Sequence, residues 1–315
     1  MKKRILILGA CGQIGTELTF ALRKKMGPHK VIASDIVEGD SSLMQNGPFE
    51  ILDATDYSAV EDVIIRHEIT DVYLMAAMLS ATAEKFPMKA WNLNMNSLFN
   101  ALNLAKDNKI NKLFWPSSIA VFGPPTPKTN TPQHAVKEPT TVYGISKQAG
   151  ERWCEYYHAT FGVDVRSIRY PGLISYKTLP GGGTTDYAVD IYHKALKHKK
   201  YICFLNASTT LPMMFIDDAI RATLRIMDAK KEAIKVRSSY NLAAMSFNPK
   251  EIAASIRKKI PGFTISYRPD FRQAIADSWP QQLDDSVARK DWGWQPTVIL
   301  DEMTDIMLDN LKKEQ

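Results

Sequence analysis

The sequence predicts an α/β protein, a doubly wound parallel sheet followed by a smaller mixed α/β lobe at its C-terminal end. Three observations predict it. Up to Tyr170, short continuous apolar runs alternate with helical stretches, as in parallel strands joined by crossover helices. A glycine-rich turn, Gly9-Ala10-Cys11-Gly12-Gln13-Ile14-Gly15, stands between the first run and the first helical stretch. Beyond Leu173 the alternation gives way to a glycine loop and a mixture of helices and short strands. Residues 1–172 are therefore expected to form the first unit, with segments at about 211–245 able to return to it. Residues 173–315 form mainly the second.

The chain has 315 residues, 45% of them hydrophobic, and a formal net charge of +6. Its basic residues are scattered, and the longest run is Lys197-His198-Lys199-Lys200. That pattern suits a solvated basic surface better than a nucleic-acid interface. The three cysteines form no Cys-x-x-Cys pair, which suits reduced thiols in a reducing compartment. No apolar run approaches the ~20 residues that span a bilayer, and the first strand begins at about Arg4 with no leader before it. The expectation is a soluble cytoplasmic protein, with a processed organellar one numbered from its mature start as the alternative. The six histidines are dispersed, and no metal-ligand cluster appears.

Residues 4–8, Arg-Ile-Leu-Ile-Leu, read as a strand buried on both faces. The turn that follows puts Gly9, Gly12, Gln13, Ile14 and Gly15 at the start of a helix. Its glycines let backbone amides approach a pyrophosphate at the helix N-terminus. The spacing is Gly-x-x-Gly-x-x-Gly. A second strand, residues 31–34, ends at Asp35, twenty residues after Gly15. An acid there accepts hydrogen bonds from ribose hydroxyls and repels a 2′-phosphate, which favours NAD over NADP. Residues 49–52 read as a third strand, with Leu52 and Asp53 at the adenine end. A helix at about 57–67 follows. The fourth strand, residues 71–77, ends in Ala76 and Ala77, small enough to pass close to a cofactor. Ser80 lies just beyond, either within reach of a substrate or as a turn serine.

A long helix at about 88–108 carries Asn94, placed to tie it to the catalytic strand. Residues 112–118 form the fifth strand, ending in Ser118. A loop rich in Pro, Thr and Lys covers residues 123–139. Tyr143 and Lys147 then stand four residues apart at the start of a helix reaching about Phe161, on one face and one turn apart. A phenol has an ordinary pKa of about 10, and a nearby ammonium lowers it. The pair is therefore expected to take a proton from an alcohol near neutral pH, with Ser118 holding the same oxygen. Residues 163–170 form the sixth strand. Leu179-Pro180-Gly181-Gly182-Gly183-Thr184-Thr185-Asp186 follows as a polar loop, either an anion site for a carboxylate or a hinge. Trp279 is placed over a pocket or in the core.

With these residues in this order, the chain resembles the extended short-chain dehydrogenases/reductases over essentially its whole length. Pro116-Ser117-Ser118-Ile119-Ala120-Val121-Phe122-Gly123 resembles that family's catalytic-serine strand, and Tyr143-Gly144-Ile145-Ser146-Lys147 its Tyr-x-x-x-Lys helix. Nucleotide-sugar epimerases of the family place an asparagine where Arg169-Tyr170-Pro171-Gly172 has glycine, so a nucleotide-sugar 4-epimerase or dehydratase is the alternative. Four segments resemble the short-chain L-threonine 3-dehydrogenase branch instead. They are residues 170–175, 179–188 and 211–215, and Ser278-Trp279-Pro280 with Leu283-Asp284-Asp285-Ser286. The resemblance implies a Rossmann NAD-binding domain and NAD-dependent oxidation of the 3-hydroxyl of L-threonine. It implies substrate contacts at Ser80, Ser118, Tyr143, Gly183, Thr185 and Trp279, cofactor contacts at Tyr143, Lys147 and Leu173, and a homodimer through the long helices. An NAD-responsive binding protein without turnover is the third reading. The complete Ser118, Tyr143 and Lys147 set argues against it, because a sensor needs no proton acceptor.

Overall fold

The structure is a computed structural model that describes residues 3–179, 181 and 183–313, with the side chain of Ala81 also outside the description. The strands are β1 Ile5–Leu8, β2 Val31–Asp35, β3 Phe49–Ile51, β4 Asp71–Leu74, β5 Lys112–Ser118, β6 Val165–Tyr170, β7 Gly172–Ile174, β8 Lys200–Cys203, β9 Leu211–Phe215, β10 Tyr240–Asn241, β11 Met245–Phe247 and β12 Thr264–Tyr267. The first six helices are α1 Gln13–Met26, α2 Ser41–Gln45, α3 Tyr57–Arg66, α4 Ser80–Lys85, α5 Pro87–Lys106 and α6 Val142–Phe161. The remainder are α7 Tyr187–His198, α8 Ile216–Asp228, α9 Pro249–Lys259, α10 Arg272–Ser278, α11 Ser286–Trp292 and α12 Leu300–Lys313.

The main sheet has seven strands in the order β10-β6-β5-β4-β1-β2-β3, all parallel. From β1 the chain moves outward to β2 and β3, then returns to β4 and moves the other way. The order therefore reverses between β1 and β4, and open α/β sheets bind ligands beyond the carboxyl ends of such a pair. All residues of β1 and β4 are buried, which explains why their apolar runs do not alternate with polar residues. Ile5 and Ile7 pack with Leu18 and Leu22 of α1 on one face. Leu6 and Leu8 pack with Val60 of α3 and Leu98 of α5 on the other. A three-stranded sheet, β11-β9-β7, and a parallel pair, β12-β8, complete the description.

The differences from expectation have local causes. The fourth strand stops at Leu74 rather than Ala77, because the amides of Met75 and Ala76 both donate to the Leu8 carbonyl, at 2.7 and 2.9 Å, and the chain turns there. Ser80 opens a short helix, α4, rather than standing in a turn, and Pro87 in the first turn of α5 separates it from the long helix. The seventh strand of the sheet, β10, has two residues, too few to leave a period in the sequence.

Candidate active site

The glycine turn after β1 is built for close approach. Gly9 has φ +89°, and a Cβ there would lie 2.5 Å from the Ala76 amide nitrogen. A Cβ on Gly15 would collide with the Gly9 carbonyl oxygen. Both positions thus exclude a side chain, and α1 begins at Gln13 with no acid in its first turn. Its free amides and positive dipole end face the crevice between β1 and β4, where a pyrophosphate fits.

On the β2 side the crevice is lined by Asp35, Leu52, Asp53, Ala76 and Ala77. One Asp35 oxygen, Oδ2, accepts the Cys11 amide at 2.9 Å, and Oδ1 accepts the Ile36 amide at 2.8 Å. The carboxylate is thereby fixed against the glycine turn. Oδ1 of Asp53 accepts from the amide and hydroxyl of Thr55, both at 2.8 Å. No lysine or arginine lines this arm among the described residues. Burial and the Asp35 carboxylate push the Cys11 thiol up to about 11, so it is not a thiolate at neutral pH.

On the β4–β5 side, Ser118 ends β5 and Tyr143 stands in the first turn of α6, capped by Thr141, whose Oγ1 accepts the Gly144 amide at 3.1 Å. Ser118, beside Tyr143, favours the ionised form of the phenol, but burial outweighs it and pushes the phenol up to about 12. Burial also pulls Lys147 down to about 7, against the opposing pull of Cys154 and Glu151. The Lys147 ammonium donates to the Pro116 carbonyl at 2.6 Å and lies over the Trp115 ring at 4.5 Å and the Tyr143 ring at 5.6 Å. Burial thus acts on both members of the pair. The two groups share a face as the spacing requires, but desolvation, which spacing does not encode, is the larger effect.

The supports are buried. Asn94 accepts the Met78 amide at 2.8 Å and donates to Ser146 Oγ at 3.2 Å, while Ser146 Oγ donates to the Tyr143 carbonyl at 2.8 Å. Asn94 therefore ties α5 to the turn after β4 and to α6, rather than to β5. Glu151, one turn beyond Lys147, accepts from Ser117 Oγ at 2.7 Å, from Arg169 at 2.7 and 2.9 Å, and from Lys137 at 2.8 Å. Burial works to raise its pKa, but Arg169 and Lys137 overcome that and hold it at about 2.

At the other end of the cleft, Ser80, Leu173, Gly183, Thr185 and Trp279 line the same cavity as Ser118, Tyr143 and Lys147. Gly9, Gly12, Gln13, Ile14 and Gly15 line it too. All the candidate site residues thus border one of two adjoining cavities that share Gly9, Gly12, Met75 and Ala77. Pro180 and Gly182 of the glycine loop lie outside the described residues. Among the lining residues that the sequence does not single out are Thr184 and Asp186. Asp186 accepts the Gly183 amide at 2.8 Å, and the buried Thr184 hydroxyl has no hydrogen-bond partner among the described residues. Their polar run in the loop was the available signal. Trp279 is held by the loop before α6: Lys128 donates to the carbonyls of Asp277 at 2.7 Å and Trp279 at 3.2 Å, and the Gln281 amide donates to the Lys128 carbonyl at 2.7 Å. No His, Cys, Asp or Glu group suited to a metal ion occurs among the described residues, and none of their helices is long and apolar enough to cross a membrane.

Residues 5–243 match the model of the NAD-dependent epimerase/dehydratase family. An uncharacterised epimerase/dehydratase of Staphylococcus haemolyticus is 48% identical, over 99% of each chain. A GalE-like L-threonine dehydrogenase from Cupriavidus necator, in its holo form, superposes with TM-score 0.95 at 58% identity, covering 98% of this chain and 99% of that one. A monomeric L-threonine 3-dehydrogenase from a metagenome, in its apo form, superposes with TM-score 0.94 at 49% identity over 98% and 99%.

Proposed function

The chain belongs to the NAD-dependent epimerase/dehydratase family, and from that premise we propose that it oxidises the 3-hydroxyl of L-threonine with NAD, giving 2-amino-3-oxobutyrate and NADH. The observation that carries the reading is the meeting of Ser118, Tyr143 and Lys147 with Ser80, Thr185 and Trp279 in one cleft. The likeness to L-threonine dehydrogenases over nearly the whole chain supports it.

The residues fit the dinucleotide. Gly9 and Gly15 let the turn pack tightly on the backbone of Ala76 and of Gly9 itself, where a Cβ would collide, the N-terminus of α1 receives the pyrophosphate, and Asp35 has carboxylate lone pairs for the adenosine ribose. Leu52, Asp53, Ala76 and Ala77 border the adenosine arm, and Leu173 borders the nicotinamide end. Bound NAD supplies the acceptor for the hydride from C3 and a positive ring in the cleft. Ser118 and Tyr143 hold the 3-hydroxyl, and Tyr143 takes its proton. Lys147 offsets the charge that develops on the phenol. Ser80, Thr185 and the amides around Gly183 receive the polar groups of the amino acid, while Trp279 covers them and limits water.

One spectrophotometric experiment tests the reading. NADH absorbance grows with L-threonine and NAD, more slowly with L-serine, and not with UDP-galactose. An enzyme that turns over UDP-galactose and ignores L-threonine overturns it. In the same assay Asp35→Ala loses more efficiency with NAD than with NADP, because the acid that accepts from the ribose hydroxyls and repels a 2′-phosphate is gone. An unchanged preference removes the ribose role.

The enzyme is read as cytoplasmic, in line with its free cysteines, Cys11, Cys154 and Cys203. It is read as a homodimer through α5 and α6. Ile145, Trp153, Tyr156 and Phe161 of α6 and Met88 of α5 are exposed, more apolar surface than scattered surface residues account for. Sedimentation at twice the chain mass is the expected result. A particle of one chain mass at assay concentration removes the dimer.

A further inference from the structure

We propose that Gly172 determines specificity: the space left by its missing side chain is where Thr185 sits, and this seats Thr185 against a small 3-hydroxy amino acid. The inference deepens the proposed reading of the site and rests on it.

Gly172 opens β7, directly after Tyr170 and Pro171, and pairs with Met213 of β9. Together with Leu173 and Thr185 it lines the cleft. Its backbone lies outside the left-handed region, so conformation does not demand glycine here. Space does. A Cβ at this position would lie 2.5 Å from Met213 Sδ, 2.7 Å from Thr185 Cγ2 and 2.8 Å from Thr185 Cβ. The methionine sulfur sits on a flexible chain and can move aside. Thr185 cannot escape by rotation, because its side chain is β-branched and stiff at χ1, and its Cβ follows the backbone. That backbone is itself held. The Thr185 carbonyl accepts the Ala188 amide at 3.1 Å, and next to it the Gly183 carbonyl accepts the Asp186 amide at 3.2 Å. The Asp186 carboxylate closes the same turn on the Gly183 amide at 2.8 Å.

A side chain at 172 must therefore push the segment carrying Thr185 away from β7. The wall facing Ser118 and Tyr143 retreats, and the pocket loosens around the amino-acid end of the substrate. The glycine turn and Asp35 lie at the other end of the crevice and are left in place.

The test is Gly172→Ala in the full-length enzyme, with KM and kcat for L-threonine and the dissociation constant for NAD measured separately. The expected result is a loss in kcat/KM of order 10²-fold, the scale for a reacting partner misplaced by about 1 Å. The loss falls mainly on KM, with NAD binding retained. The double variant Gly172→Ala/Thr185→Ser keeps the hydroxyl, removes the Cγ2 contact and leaves the 2.8 Å contact at Cβ, so it recovers about tenfold of the loss and not all of it. An unchanged KM in Gly172→Ala overturns the inference, as does a double variant no better than the single one. If Gly172→Ala no longer binds NAD, recovery of both NAD binding and threonine oxidation in the double variant supports the steric coupling, and failure of both to recover overturns it. A wild-type enzyme that binds NAD but leaves L-threonine untouched overturns the proposed activity, and this inference with it.

Discussion

Tyr143→Phe lowers kcat with L-threonine by about 10³-fold, the middle of the range for a positioned general base, while NAD binds as before. The variant keeps the ring that packs beside Lys147 and loses only the oxygen beside Ser118. The pH dependence carries more information than the loss itself. Burial holds the phenol at about 12 and the ammonium at about 7, which looks unpromising for a base working near neutrality. The two groups adjoin, however, so they lose protons as a pair. Above about pH 7 the pair has shed one proton. A phenolate beside an ammonium contains as many protons as a phenol beside an amine, so the active form is reached by moving one proton within the pair.

The expected profile of kcat/KM therefore rises with pH and is half-maximal near pH 7, the first proton loss of the pair. In Lys147→Met no such partner exists, and the rise moves toward the phenol's own value of about 12. Turnover of Tyr143→Phe within tenfold of wild type would exclude the phenol as base. A wild-type rise centred near pH 12, where burial alone puts the phenol, would show that Lys147 contributes nothing to it.

What the sequence made legible follows from range. The glycine turn, Asp35 at the end of β2, and the Tyr143–Lys147 pair are patterns spanning a few residues each, and their geometry is fixed by the strand or helix that contains them. Asp35 meets the Cys11 amide because parallel neighbours β1 and β2 end together. By contrast, β10 has two residues, and only its pairing with β6 makes it a strand. The hold of Lys128 on Trp279 spans 151 residues, and nothing near either residue announces it. Thr184 and Asp186 stood in a loop whose polar character was plain. Their place in the cleft depends on how that loop docks against β7. The burial that raises Tyr143 is illegible for the same reason: a neighbouring charge is written four residues away, whereas burial is contributed by the whole fold.

The support beneath the site gives the largest stability effect. Glu151 is fully buried, and Arg169, 1% exposed, is bound to it through two nitrogens. Among the described residues, Glu151→Ala leaves that guanidinium in the interior with only the carbonyl of Gln133 and the side chain of Asn241 as acceptors. Removing one partner of a buried pair costs about 3–5 kcal/mol, to be read as a lower denaturant midpoint with an unchanged slope. Replacing both Glu151 and Arg169 by apolar residues of similar volume costs less than the single change, because no charge is then stranded. The sign with pH follows from the depressed pKa. Glu151 is held at about 2 in the fold against about 4.3 for an ordinary glutamate, so its stabilisation is complete above the ordinary value. It is lost as pH falls from there toward 2, where the carboxylate takes up a proton. Wild type therefore loses stability across that window, and Glu151→Ala loses less of what remains. Equal acid sensitivity in the two proteins, or a midpoint unchanged by the substitution, would mean that the pair beneath Lys147 does not hold β5, β6 and α6 together. Ser117 hydrogen-bonds Glu151, and Pro116, its neighbour, holds Lys147. The same pair therefore fixes the end of β5 from which Ser118 reaches Tyr143.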